Sequence, residues 1–143
     1  MLYIHGDDRH EHIAEHAASA AASAAITSNK WDVVVLQEQS EIPSVEQFRQ
    51  SEMYPAARRL ADTIYRHGSR PMFFLTWAHR DGWPENGLPD YVSMQSAIDD
   101  GYLAIAAEEQ AAVAPVGVAW STTRRLLPSA EMFREFVVAR PVA

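Results

Sequence analysis

Cysteine is absent from the 143 residues, which excludes disulfide frameworks, thiolate metal sites, iron–sulfur clusters and Cys nucleophiles. Lysine is nearly absent as well: Lys30 stands alone, and 12 basic against 19 acidic side chains give a net charge of −7. Affinity for nucleic acid comes mainly from clustered cations, so no nucleic-acid partner is expected of so acidic a chain. Long apolar runs are also missing. No stretch approaches the ~20 residues of a membrane helix, and no membrane partner is expected. Asp7, Asp8, Glu11 and Glu15 occupy the region where a signal peptide would have a cationic start and an apolar stretch, so the expected location is cytoplasmic.

What remains is a globular composition, 48% hydrophobic and 22% charged. A chain of this length buries about two-thirds of its unfolded surface, so residues 1–143 are expected to form one domain around one core.

Helix-like and strand-like stretches alternate along the chain. Val33-Val34-Val35-Leu36 is a continuous apolar run dominated by β-branched residues, as in a parallel strand buried on both faces. Pro71 to Trp77 has the same character, following the turn signal His67-Gly68-Ser69. Ala111 to Val116 is weaker because Pro115 has no N–H for a ladder, and Leu2-Tyr3-Ile4 is a short further strand. Helices are expected over His10 to Ile26, Glu52 to His67 and Tyr91 to Gln110, where apolar residues recur at helical spacing. The order β-α-β-α-β-α-β predicts an α/β fold, a three-layer sandwich with a mostly parallel sheet. A loop rich in Gly and Pro, Ala78 to Asp90, follows a strand's carboxyl end, where open α/β sheets bind ligands.

All carboxyl ends of a parallel sheet lie on one edge. Gln37-Glu38-Gln39-Ser40, Thr76 to Asp81 and Gly117 to Trp120 therefore converge there. An amide just past a buried strand is well held to donate to a developing oxyanion, which makes Gln39 and Gln37 candidates; the same amides could instead satisfy the neighbouring loop backbone. Glu38, Ser40, Trp77, His79, Asp81 and Trp120 are candidate substrate-binding residues. For His79 and Asp81 the alternative is a surface ion pair with Arg80, and for the tryptophans it is packing at strand ends.

The set Trp31 to Ser40, Leu75-Thr76-Trp77-Ala78, Asp81-Gly82-Trp83-Pro84, Ser93-Met94-Gln95 and Val113 to Trp120 resembles the SGNH/GDSL hydrolase superfamily, in particular a bacterial branch with a Leu-Gln-Glu-Gln-Ser segment. The resemblance covers about residues 12–120. It implies a flavodoxin-like fold and hydrolysis of an O-acyl ester of a small molecule, with a carbohydrate among the possible substrates. It also implies a Ser nucleophile in an N-terminal Gly-Asp/Asn-Ser block, oxyanion donors from middle blocks and a C-terminal Asp-x-x-His. Gln39, or alternatively Gln37, matches the middle-block amide.

Two departures accompany the resemblance. Residues 121–143 contain neither Asp nor His, and in Leu2 to Asp8 the position of the nucleophile is held by Asp8. Only 22 residues separate Asp8 from Trp31, which suggests that Leu2 to Ile4 match the family's second strand and that the nucleophile strand lies upstream. The expectation is a catalytically incomplete domain with altered or truncated ends, whose exposed sheet edge could pair with a second copy. The other reading is a non-catalytic α/β binding domain.

His12-Ile13-Ala14-Glu15-His16 formally matches an inverted zinc-protease motif, but such a site needs a further ligand and a larger fold. Neither a metal nor a cofactor is expected. Asp99-Asp100 and Glu108-Glu109 are assigned to a helix's solvated face.

Overall fold

The computed structural model describes residues 1–5 and 12–126. Four strands, β1 (Leu2–His5), β2 (Val33–Gln37), β3 (Arg70–Phe74) and β4 (Ala112–Ala114), form a wholly parallel sheet in chain order. Leu2 pairs with Val34, Val34 with Pro71, and Met72 with Ala112. The helices are α1 (Ile13–Ala18), α2 (Ala20–Thr27), α3 (Glu41–Ser44), α4 (Glu46–Phe48), α5 (Tyr54–Arg66), α6 (Tyr91–Glu108) and α7 (Val116–Leu126), with a π turn at Arg49–Met53 before α5. The expected α/β alternation with a parallel sheet is present.

Strand order and handedness decide where the helices lie. A parallel crossover is right-handed in nearly all proteins, so strands laid down successively in one direction place every crossover helix on the same face. Ile4, Val34, Leu36 and Phe73 accordingly share one buried cluster with Ile13 of α1, Ile26 of α2, Leu60 and Ile64 of α5, and Ile98 and Tyr102 of α6. The alternate residues Tyr3, Val35, Met72 and Phe74 point to the other face, where Tyr3 and Phe74 meet edge to face at 5.9 Å.

β1 pairs directly with β2 at one edge of the sheet.

Several element boundaries differ from expectation, among them the end of β3, at Phe74 rather than Trp77. The Ala-rich helix is two helices, because Ser19 adopts an extended conformation (φ −83°, ψ 126°) and caps α2 by accepting from the Ala22 N–H. His10 and Glu11, where that helix was expected to begin, lie outside the described residues, as do Gly6-Asp7-Asp8 and, from residue 127 on, the divergent tail 121–143. The last strand ends at Ala114, and α7 starts at Val116 just after Pro115, so Gly117 to Trp120 are helical rather than part of a strand exit. Gly117 packs so tightly that a Cβ would lie 2.0 Å from the Thr76 carbonyl oxygen. α6 begins cleanly at a capping box in which Asp90 accepts from the Ser93 N–H at 2.8 Å while Ser93 Oγ reaches back to Asp90.

Candidate functional site

Glu38 is the first residue past β2, and its side chain is fully buried. Sequence reasoning offered it to substrate; in the fold it faces inward. One carboxylate oxygen accepts from the Gln39 N–H at 2.8 Å and lies 3.3 Å from His12 Nδ1, and the other accepts from the Ile13 N–H at 3.1 Å. The main chain of Glu38 is held as well: the Tyr102 hydroxyl accepts from its N–H at 2.9 Å and donates to its carbonyl at 3.1 Å. Burial pushes the Glu38 carboxyl above the ordinary carboxylate range; the N–H groups and His12 pull the other way but do not outweigh it. The Tyr102 hydroxyl, fully buried, is pushed up too.

The neighbouring candidates spread outward from this anchor. Gln39 Oε1 accepts from the Glu41 N–H at 2.8 Å. Gln37 belongs to the second sheet face and accepts from the Tyr3 hydroxyl, so the two amides are not brought to one point. Ser40 Oγ donates to the Trp77 carbonyl at 2.7 Å, joining the exits of β2 and β3.

The exit of β3 is fixed by a residue that sequence reasoning left unassigned. Gln95 of α6 is buried; its Oε1 accepts from the Ala78 N–H at 2.8 Å and the Tyr91 hydroxyl at 3.1 Å, and its Nε2 donates to the Thr76 carbonyl at 3.2 Å and Asp99 Oδ1 at 2.8 Å. Asp99 is therefore half-buried rather than on a solvated face, and burial raises its carboxyl. The available signal was periodicity: Tyr91, Gln95, Ile98 and Tyr102 lie on one helical stripe, which places an amide among core positions.

Beyond this network the loop is exposed. Arg80 and Asp81 form an ion pair at 2.8 Å that holds the Asp81 carboxyl below its usual range, and His79 is exposed beside them. Trp77 is 38% exposed and tilts against Trp120 with ring centroids 6.0 Å apart; the Arg124 guanidinium lies over the Tyr91 ring at 4.1 Å. Trp83 packs on Phe48 at 6.2 Å instead of joining the Trp77–Trp120 pair. Gly82 has φ +71°, and a Cβ there would meet the Leu88 and Asp90 backbone within 2.6 Å, so only glycine closes this turn.

His12 and His16 turn to different partners. His16 Nε2 bonds the His5 carbonyl at 2.8 Å while His12 turns to Glu38, and among the described residues no group of three or more His, Asp or Glu is placed to hold a metal. A separate groove of about 490 Å³ runs beside β1, walled by Tyr3, His5, Glu15, His16 and Ala22. Among the described residues no helix is long and apolar enough to cross a membrane.

No protein-family model matches the sequence, and no curated protein does. Among solved structures the chain is similar to a protein from Slackia heliotrinireducens described as "a putative SGNH hydrolase", with a TM-score of 0.67 and 23% sequence identity over 79% of this chain. The match spans 64% of the length of that protein. The chain thus has an SGNH-hydrolase-like α/β fold.

Proposed function

We propose that the chain is an SGNH-like hydrolase domain that acts on an O-acyl ester of a small molecule, a carbohydrate ester among the candidates, at the carboxyl edge of its sheet. The observation that carries this reading is the double restraint on Gln39. Its main-chain N–H is held by buried Glu38 and its Oε1 accepts from the Glu41 N–H, which orients the amide while its two Nε2 N–H groups supply its donors. A donor held rigidly past a strand end stabilises a developing oxyanion without reorganising, and removing one such donor typically costs a factor of about 10² to 10³ in rate. Trp77, His79, Asp81 and Trp120 would face the ester's two substituents. The exposed edge strand β1 would pair with a second copy of the chain.

A second reading is favoured by Ser40. Its hydroxyl proton is engaged by the Trp77 carbonyl, so it behaves as a strut between loops, and a binding domain without a serine nucleophile would keep the same crevice. Turnover of p-nitrophenyl acetate, combined with a serine-reactive fluorophosphonate probe, separates the two. Turnover that falls at least tenfold in Gln39→Ala supports hydrolysis. A folded protein with neither turnover nor labelling leaves the binding domain.

A further inference from the structure

The strongest unassigned chemistry lies behind Gln39, where a buried carboxylate meets a histidine. Glu38 is 0% exposed, whereas the His12 side chain is 24% exposed, so the pair bridges the core and the surface. Two main-chain N–H groups, those of Ile13 and Gln39, donate to the Glu38 oxygens, and His12 Nδ1 lies 3.3 Å from one of them. A carboxylate oxygen has lone pairs enough to accept from the Gln39 N–H and from an Nδ1–H together. The His12 contact at 3.3 Å is long for a hydrogen bond; contacts of catalytic pairs commonly tighten only when substrate binds. Its partner bonds fix the carboxylate from two other directions, so the imidazole is oriented by a rigid group. Among the described residues the His12 ring is engaged through Nδ1, at Glu38.

We propose that His12 is a general base and Glu38 its positioning residue, a carboxylate–imidazole dyad at the carboxyl edge of the sheet, made from the Leu-Gln-Glu-Gln-Ser segment and the start of α1. The assignment rests on the ester-hydrolase reading above for its substrate. An imidazole whose Nδ1–H is held by a buried carboxylate presents the Nε2 lone pair outward, the orientation that lets such a ring take a proton from an attacking oxygen. No serine is required. Nε2 takes a proton from water as the water oxygen bonds to the acyl carbon, and the carbonyl electron pair moves onto the oxyanion beside Gln39. The tetrahedral intermediate then expels the alkoxide, which receives the proton back from the His12 imidazolium. Ester and water become carboxylic acid and alcohol, and the dyad returns to its starting state.

His12→Asn is the discriminating variant, because the asparagine amide can still donate to Glu38 while the Nε2 base is lost. On p-nitrophenyl acetate it is expected to lower kcat by about 100-fold with KM little changed, the scale of general-base catalysis. His67→Ala, at the distant end of α5, serves as control and retains wild-type turnover. The second readout needs no activity: nitrogen NMR of the imidazoles is expected to find neutral His12 protonated on Nδ1 in the wild type, and to find that preference lost in Glu38→Gln. Turnover of His12→Asn within twofold of wild type overturns the dyad and leaves the ester reading standing. Absence of turnover in the wild type overturns the ester reading instead, and the dyad is then decided by the tautomer. Protonation on Nε2 overturns it whatever the turnover, and protonation on Nδ1 supports it.

Discussion

The two faces of the sheet are built from alternate residues of the same four strands and have different fates. Leu36 and Phe73 face α1, α2, α5 and α6 and are essentially inaccessible, whereas Tyr3 is 43% exposed and Met72 and Phe74 are half-buried. Composition does not separate them, because Val33 to Leu36 is apolar throughout and Phe73 and Phe74 are adjacent. Strand order does: a sheet wound in one direction with right-handed crossovers collects its helices on one side. The sharpest test exchanges the neighbours. Phe73→Ala empties a position in the closed core and is expected to cost about 3–5 kcal/mol in urea unfolding, while Phe74→Ala is expected to cost well under half of that. Equal losses would show that the second face is as tightly packed as the first, and the comparison would fail.

The covered face also carries the two anchors of the site, and they differ in kind. Glu38 holds the β2 exit with a charge from its own strand; Gln95 holds the β3 exit with a neutral amide sent across from α6. Removing either leaves main-chain groups, donors at Glu38 and a donor and an acceptor at Gln95, without these partners, at about 1–3 kcal/mol for each buried group. Glu38→Ala orphans the Ile13 and Gln39 N–H groups, and Gln95→Ala orphans the Ala78 N–H and the Thr76 carbonyl. Both are expected to destabilise by about 2–4 kcal/mol. Hydrogen exchange should place the loosening differently, at the start of α1 for Glu38→Ala and at residues 76–79 for Gln95→Ala. Identical exchange patterns would mean that the two exits open as one unit.

A smaller effect is expected from the rim of the same network. Tyr102→Phe removes a hydroxyl that both accepts from and donates to the Glu38 main chain, with the ring packing against Phe73 retained. A loss of about 1–2 kcal/mol in urea unfolding fits one pair of buried main-chain groups; a neutral substitution would show that water replaces the hydroxyl and that this part of the core is open.

Much of this architecture could be read from the residues, and the failures have physical causes. The apolar run before Gln37 and the repeats of α5 and α6 locate themselves by periodicity. Ser19 was missed because an alanine-rich segment looks like one helix until a side chain competes for the backbone and caps a new start. Pro115 lies within the expected strand Ala111 to Val116, but its fixed backbone is equally at home just before a helix, and Gly117 then lets α7 press on Thr76. The site was legible as an edge and illegible as a set of contacts: Glu38 and Ser40 stand two positions apart in one polar run, yet one is turned into the core and the other out to Trp77. His12 sits 26 positions before Glu38, and only the pairing of β1 with β2 brings α1 to that strand end.

The smallest expected effect compares Glu38 with the other carboxylate of the edge, Asp81, by their response to pH. Burial raises the Glu38 carboxyl from its ordinary value of 4.5, so the folded state holds this proton more tightly than the unfolded chain does. Stability from this group is fully present below the unfolded value and is lost as pH rises through the folded one. Asp81 has the opposite sign: the hydrogen bonds and charge of Arg80 lower its carboxyl, so its contribution is present above the ordinary aspartate range and fades as pH falls. Asp81 is on the surface, where salt screens the pair and side-chain entropy opposes it, so Asp81→Asn should leave the pH profile of Tm nearly unchanged and the remainder should vanish in high salt. Glu38→Gln should remove the decline of Tm that begins just above pH 4.5 in the wild type, whatever its effect on absolute stability. If the two variants flatten the profile by the same amount, Glu38 is solvated like Asp81, and the distinction between a core anchor and a surface pair does not hold.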